Sequence, residues 1–223
     1  MLLLAVDTSG KNGSLALARS ANDGALEIVE EVALAGGTFS AQLVQQTAAL
    51  LEKHGYGKSD LAGFAVVSGP GSFTGLRVGL AAIKAMAEIL HKPIAAVSLL
   101  EAVARSGEAR RRVFSVLDAG RGDLYIGDYE IGSPVQMHDE RLLSREEFSS
   151  QNKSQVVLTP DTNIAEFARG AGFRVEQVAH SRSGEIAHLG WERILRGETI
   201  PPEDLEANYI RRSDAEIFSK PKL

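Results

Sequence analysis

The first half of the chain alternates short apolar runs with glycine-rich breaks. Leu2-Leu3-Leu4-Ala5-Val6 is an apolar run, ended by the turn cluster Asp7-Thr8-Ser9-Gly10-Lys11-Asn12-Gly13. Residues 14–19 read as a return strand and 26–34 as a third strand with partial alternation. Gly36-Gly37 breaks the pattern, and Thr38 or Ser40 is placed to cap the helix that follows, over 40–53. Leu43, Thr47, Leu50 and Leu51 stand at i, i+4, i+7 and i+8, so they share one helical face. Residues 64–67 predict a buried strand, 73–91 a long helix stopped by Pro93, 94–97 a strand and 99–105 a short helix. Three successive strands followed by alternating helices and strands predict an α/β fold with a mixed sheet covered by helices, the order of a ribonuclease-H-like unit.

The second half opens as the first does. Phe114-Ser115-Val116-Leu117-Asp118, a glycine turn and Leu124-Tyr125-Ile126 repeat the scheme of Leu3-Leu4-Ala5-Val6-Asp7, a glycine turn and Leu15-Ala16-Leu17. Strand, terminal Asp, glycine turn and return strand make a weak internal repeat, as duplication of one unit would give. Residues 132–152 read as a long connection with one short helix near 144–148. Then come a strand (156–158), a helix (164–171), a strand (173–178) and a helix (185–195). Pro201-Pro202 opens an extended tail. The expected division is a first lobe over 1–107 and a smaller second lobe over 108–223, with the C-terminal segment returning to the first.

Composition narrows the chemistry. The 223 residues are 44% hydrophobic and 24% charged, with net charge -5, which suits an ordinary globular core. A chain gripping RNA unaided would show a basic excess; here only Arg110-Arg111-Arg112 and Arg211-Arg212 cluster. The absence of cysteine excludes disulfides, thiolate metal sites and cysteine nucleophiles. The N-terminal apolar run is too short for a signal peptide, and no segment approaches the roughly 20 apolar residues that span a bilayer. A cytoplasmic protein is expected.

The informative segment is Ser68-Gly69-Pro70-Gly71-Ser72-Phe73-Thr74-Gly75-Leu76-Arg77-Val78-Gly79, between a strand and a helix. Glycines there let backbone N–H groups converge, and Ser72 and Thr74 are candidates for binding an anion; the plainer reading is a tight turn in which Ser72 caps the helix. It is neither a P-loop nor a dinucleotide fingerprint. Within the helix, Gly75, Gly79, Ala82 and Met86 fall at i, i+4, i+7 and i+11. Two helical glycines cost about 1 kcal/mol each relative to alanine, so something packs closely on that face: the chain's own sheet or first helix, or a partner helix from another subunit. Val44, Ala48 and Leu51 give the preceding helix a neighbouring apolar edge. Asp7, at the end of the first strand, is a candidate for orienting magnesium or phosphate; the alternative is an Asx-turn closing the hairpin. No two of His54, His91, His138, His180 and His188 lie three or four residues apart, so no helical metal pair is expected.

The stretch 68–79 resembles the signature of the TsaB (YeaZ) family. The opening Leu4-Ala5-Val6-Asp7-Thr8-Ser9 is similar to that family's first strand, Asp118-Ala119-Gly120-Arg121-Gly122-Asp123-Leu124-Tyr125 to its mid-chain motif, and Asn208-Tyr209-Ile210-Arg211 to its terminal motif. The resemblance implies a duplicated ribonuclease-H-like fold of the actin/hexokinase type. It implies a non-catalytic subunit needed for N6-threonylcarbamoylation of the adenosine next to the anticodon, in tRNAs reading codons that begin with A. The transferase would be TsaD, a related protein with a histidine metal motif, bound through the two first-lobe helices. The small ATPase TsaE would join, ATP being used by the complex and no cofactor being held by this chain. tRNA would be met only through the complex, and the isolated chain would pair with itself. On those two helices, the spacing described above offers Val44, Ala48, Leu51, Gly75, Gly79, Ala82 and Met86 as the interface. The chain departs from many relatives at Gly37-Thr38-Phe39-Ser40, where they carry His-Ser. The alternatives are an active ATPase or small-molecule kinase of this fold, with Asp7 and Asp118 flanking a cleft, and a metalloprotease, against which the histidine spacing argues.

Overall fold

The computed structural model describes residues 1–21, 24–108, 111–132, 135–180 and 182–211; Arg110 and Arg212 of the two basic runs lie outside them. The chain forms two compact units. Met1–Ala102 with His180–Ala207 make the first, and Val103–Ala179 with the segment from Asn208 make the second.

The first unit is built on β1 (Leu2–Asp7), β2 (Gly13–Ser20), β3 (Leu26–Leu34), β4 (Leu61–Gly69) and β5 (Ile94–Ser98), with helices α1 (Phe39–Lys53) and α2 (Phe73–Leu90). The sheet order is β3-β2-β1-β4-β5. β1 pairs antiparallel with β2 and parallel with β4, so the sheet is mixed as the element order predicts. All six positions of β1 are buried, the mark of a strand covered on both faces. α1 and α2 pack together on one of them. The other is crossed by a helix from far along the chain, Ser183–Leu195, which reaches all five strands. At its centre Gly190 rides on β4: a Cβ there would stand 2.3 Å from the Cβ of Ala65. Its N-terminus is held by Glu31 of β3, which accepts from the Gly184 N–H at 2.8 Å, and by Ser14, which accepts from the Ser183 N–H at 3.0 Å.

A short helix α3 (Leu99–Arg105) follows β5. The second unit then holds β6 (Arg112–Gly120), β7 (Asp123–Glu130), β8 (Gln136–Ser144), α4 (Arg145–Ser149), β9 (Val156–Thr159), α5 (Thr162–Gly170) and β10 (Arg174–Gln177), and the helix on the first sheet is α6. The sheet reads β8-β7-β6-β9-β10, the order of the first with every index raised by five. The duplication inferred from two matching openings is therefore a duplication of topology: Asp7 ends β1, and Asp118 lies two residues before the end of the equivalent β6. The core is aromatic: Phe148 stacks on Phe173 at 4.7 Å between ring centroids and meets Phe114 edge-on at 6.2 Å.

β8 is a correction, because residues 132–152 were expected to be a connection. It is an edge strand whose first four residues are exposed. An edge strand with little apolar surface to bury shows no clean alternation, and its place is fixed by pairing with β7. Among the described residues no helix is long and apolar enough to cross a membrane.

Candidate functional site

Two features of the first unit meet at α2, one on each side of the helix. The outer feature is an open groove of about 480 Å³ between α1 and α2. Leu43 and Val44 from α1, with Phe73, Val78, Ala81 and Ala82 from α2, give it an apolar lining. Val44 is 60% exposed and Phe73 40%, large apolar side chains in the open. Arg77 also lines the groove, its guanidinium 3.7 Å from the centre of the Phe73 ring, so this cation is stacked on an aromatic face.

The inner feature is the turn after β1. Asp7, Thr8 and Ser9 are all buried. Oδ1 of Asp7 accepts from the Ser9 N–H at 2.8 Å and from the Ser9 hydroxyl at 2.6 Å, which is the Asx-turn reading. Burial pushes the Asp7 carboxyl above its ordinary range; the Ser9 hydrogen bonds pull it down, and the charge of Glu31 adds to the rise. Thr8 donates through its hydroxyl to the Gly75 carbonyl at 2.7 Å, and Ser9 accepts at its carbonyl from the Ser72 N–H at 2.7 Å.

This geometry sorts the residues expected at an interface. Gly75 and Gly79 face inward: a Cβ on Gly75 would stand 2.1 Å from the Thr8 carbonyl oxygen, and one on Gly79 2.3 Å from the Thr8 hydroxyl oxygen. Leu51 is also in this unit's own core. The correction has a simple cause. A residue four further along a helix shares a face, but spacing does not say which way that face points. Val44 and Ala48 are exposed, Ala82 lines the groove, and Met86 is partly buried against the core. Of the anion candidates, Ser72 caps α2 by accepting from the Gly75 N–H at 3.3 Å, while Thr74 lines the groove. Thr38 holds the N-cap position of α1 without accepting a capping bond. The sequence reading missed Phe73, Arg77 and Ala81. Their signal was present, since 73, 77 and 81 recur every four residues beside the glycine face.

In the second unit, Asp118 accepts from the Gly120 N–H at 2.8 Å. Arg211 donates to the Ala119 carbonyl at 2.9 Å and pairs with Asp123, fastening the terminal motif to the turn between β6 and β7. Among the described residues no three His, Cys, Asp or Glu side chains gather as a metal site.

The family model for tRNA N6-adenosine threonylcarbamoyltransferase, TsaD, matches residues 33–167, more than half of the chain. The chain belongs to this family. Its full-length likeness is to the TsaB branch. The tRNA threonylcarbamoyladenosine biosynthesis protein TsaB of Bacillus subtilis (strain 168) is 29% identical over 229 residues, covering 97% of this chain and 96% of the relative. TsaB of Escherichia coli (strain K12) is 29% identical, with 96% of each covered. Among solved structures, YeaZ from Pseudomonas aeruginosa superposes with a TM-score of 0.75 at 22% identity, covering 93% of this chain and 99% of that one. A structure described as an uncharacterized protein with similarity to peptidase YeaZ from Pseudomonas aeruginosa gives 0.76 at 23%, covering 94% and 99%. The TsaB (YeaZ) resemblance read from residues 68–79 is borne out, as is the duplicated α/β fold, with its two sheets of like order.

Proposed function

We propose that this chain is the non-catalytic partner subunit in threonylcarbamoyladenosine formation on tRNA, and that it docks on a TsaD-type transferase through the face formed by α1 and α2. The observation that carries the reading is the apolar groove between those helices, with Val44 and Phe73 exposed at it. A soluble protein gains by covering such a surface with a partner. The state of Asp7 supports a scaffold over a kinase. A phosphotransferase of this fold would turn the carboxylate at the end of β1 toward a metal–nucleotide, whereas Asp7 is buried and bonded to Ser9. ATP use is assigned to a TsaE-type ATPase in the complex, tRNA contact to the assembled complex, and self-pairing to the same face when the partner is absent.

The test is a binding titration against the TsaD-type partner, alongside reconstituted tRNA modification. Val44→Arg and Ala81→Arg place a charge on the face without touching the core. Both are expected to abolish binding and the chain's contribution to modification while the thermal transition stays in place. Unchanged binding in both variants refutes the docking face. ATP turnover by the purified chain alone, lost in Asp7→Asn, establishes the kinase alternative instead.

A further inference from the structure

We propose that Thr8 and Ser9 form the seat that sets the position of α2, and that Thr8 is thereby a positioning residue for the partner-docking face. This inference rests on the docking face proposed above.

The argument starts from two residues with no local reason to be glycine. Gly75 and Gly79 lie inside α2, and neither has a positive φ. A helical glycine is destabilising without a compensating close approach. The close approach is to Thr8: its carbonyl and hydroxyl oxygens stand where the two missing methyl groups would be. The hydroxyl donates to the Gly75 carbonyl, and the Ser72 N–H at the helix cap donates to the Ser9 carbonyl. Gly71 completes the seat, since a Cβ there would meet the Ser9 carbonyl oxygen at 2.5 Å. Asp7 holds Ser9 from behind with two hydrogen bonds. The first two turns of α2 are therefore keyed to three consecutive buried residues at the end of β1.

The opposite side of those same turns carries Phe73, Thr74, Arg77 and Val78 into the groove. A shift of the helix on its seat moves these side chains relative to Leu43 and Val44 of α1. Packed surfaces hold discrete arrangements and respond to displacements well under the width of a methyl group. The fit of Thr8 into the glycine notch thus fixes the width of the groove that a partner reads, with no contact between Thr8 and the partner. The turn that opens the first strand is assigned a mechanical role in docking.

The experiment measures affinity for the TsaD-type partner at a temperature where every variant is folded. Gly79→Ala puts a methyl against the Thr8 hydroxyl and is expected to weaken binding about tenfold, the size of effect one misplaced close contact or hydrogen bond produces. Thr8→Ala in the same chain removes the oxygen that the methyl meets and is expected to restore part of that loss, which no direct partner contact by Gly79 would do. Thr8→Ser, which keeps the hydroxyl, should bind as the parent does. Phe148→Ala, in the core of the other unit, lowers stability without altering the seat and should leave affinity unchanged. Should Gly79→Ala fail to fold, Thr8→Val against Thr8→Ser carries the same comparison. Parent-like binding by Gly79→Ala or Thr8→Val, while Ala81→Arg abolishes it, overturns the seat and leaves the docking face standing. Loss in Gly79→Ala with no recovery in the double variant, or an equal loss in Phe148→Ala, also overturns it. Undisturbed binding by Ala81→Arg removes the docking face itself.

Discussion

Gly190 offers a sharp test of how α6 is held on the first sheet. In Gly190→Ala the new methyl would lie 2.3 Å from the Cβ of Ala65 and 3.6 Å from that of Ala95. Carbon atoms settle at about 3.5–4.0 Å, so α6 must rise by roughly 1 Å over β4. Both atoms of the closest contact are Cβ atoms, fixed by backbone, and no side-chain rotation relieves them. Lifting the helix also loosens its own buried residues Ile186, Ala187 and Leu189. The cost belongs at the upper end of overpacking, about 3 kcal/mol. Replacing a helical glycine by alanine returns about 1 kcal/mol. The net loss of about 2 kcal/mol corresponds to a Tm lower by roughly 4–8 °C for a chain of this size. Trp191, the only tryptophan, is the next residue and donates to the Gly24 carbonyl at 3.3 Å, so its fluorescence reports directly on the seating of α6. Gly170→Ala is the control. It lies at the end of α5 with nothing within 4 Å of a built Cβ, and calorimetry should show it neutral or stabilised by up to about 1 kcal/mol. If the two substitutions shift stability in the same direction, the close approach of α6 to β4 is wrong.

Two further outcomes are expected. Asp7 is held above its ordinary carboxyl range by burial, so the folded chain keeps a proton that the unfolded chain releases above about pH 3.8. Its contribution to stability therefore falls as pH rises from there through the folded value, and is constant above it. Asp7→Asn retains an oxygen for both Ser9 bonds and should gain on the parent across that window in urea midpoints taken from pH 3 to 8; a difference independent of pH would count against a buried proton. Phe148→Ala removes a fully buried ring that stacks on Phe173 and should cost about 3–5 kcal/mol in the second unit, seen by circular dichroism; a loss below about 1 kcal/mol would mean the aromatic core is not packed as described.

Much of the fold was legible because the signals were local. The apolar run 2–6 ending at Asp7, the glycine breaks and the long helix before Pro93 each follow from backbone chemistry over a few residues, and the repeated opening at 114–118 announced the duplicated topology. The residues at 68–79 carried the resemblance to the TsaB (YeaZ) signature. What the sequence could not determine was direction and company. Glycines at 75 and 79 required a close neighbour, but only the folded chain decided that the neighbour is Thr8 rather than a partner helix, because helical spacing fixes a face and not its orientation. β8 was hidden because an edge strand takes its place from hydrogen bonds to β7, not from an apolar pattern of its own. The attachment of α6 to the first sheet, more than 80 residues after β5 ends, was likewise decided in three dimensions: Gly190 fits over Ala65, and Glu31 accepts from the Gly184 N–H at the helix start. Such long-range complementarity depends on shape between distant segments, which no window along the chain contains.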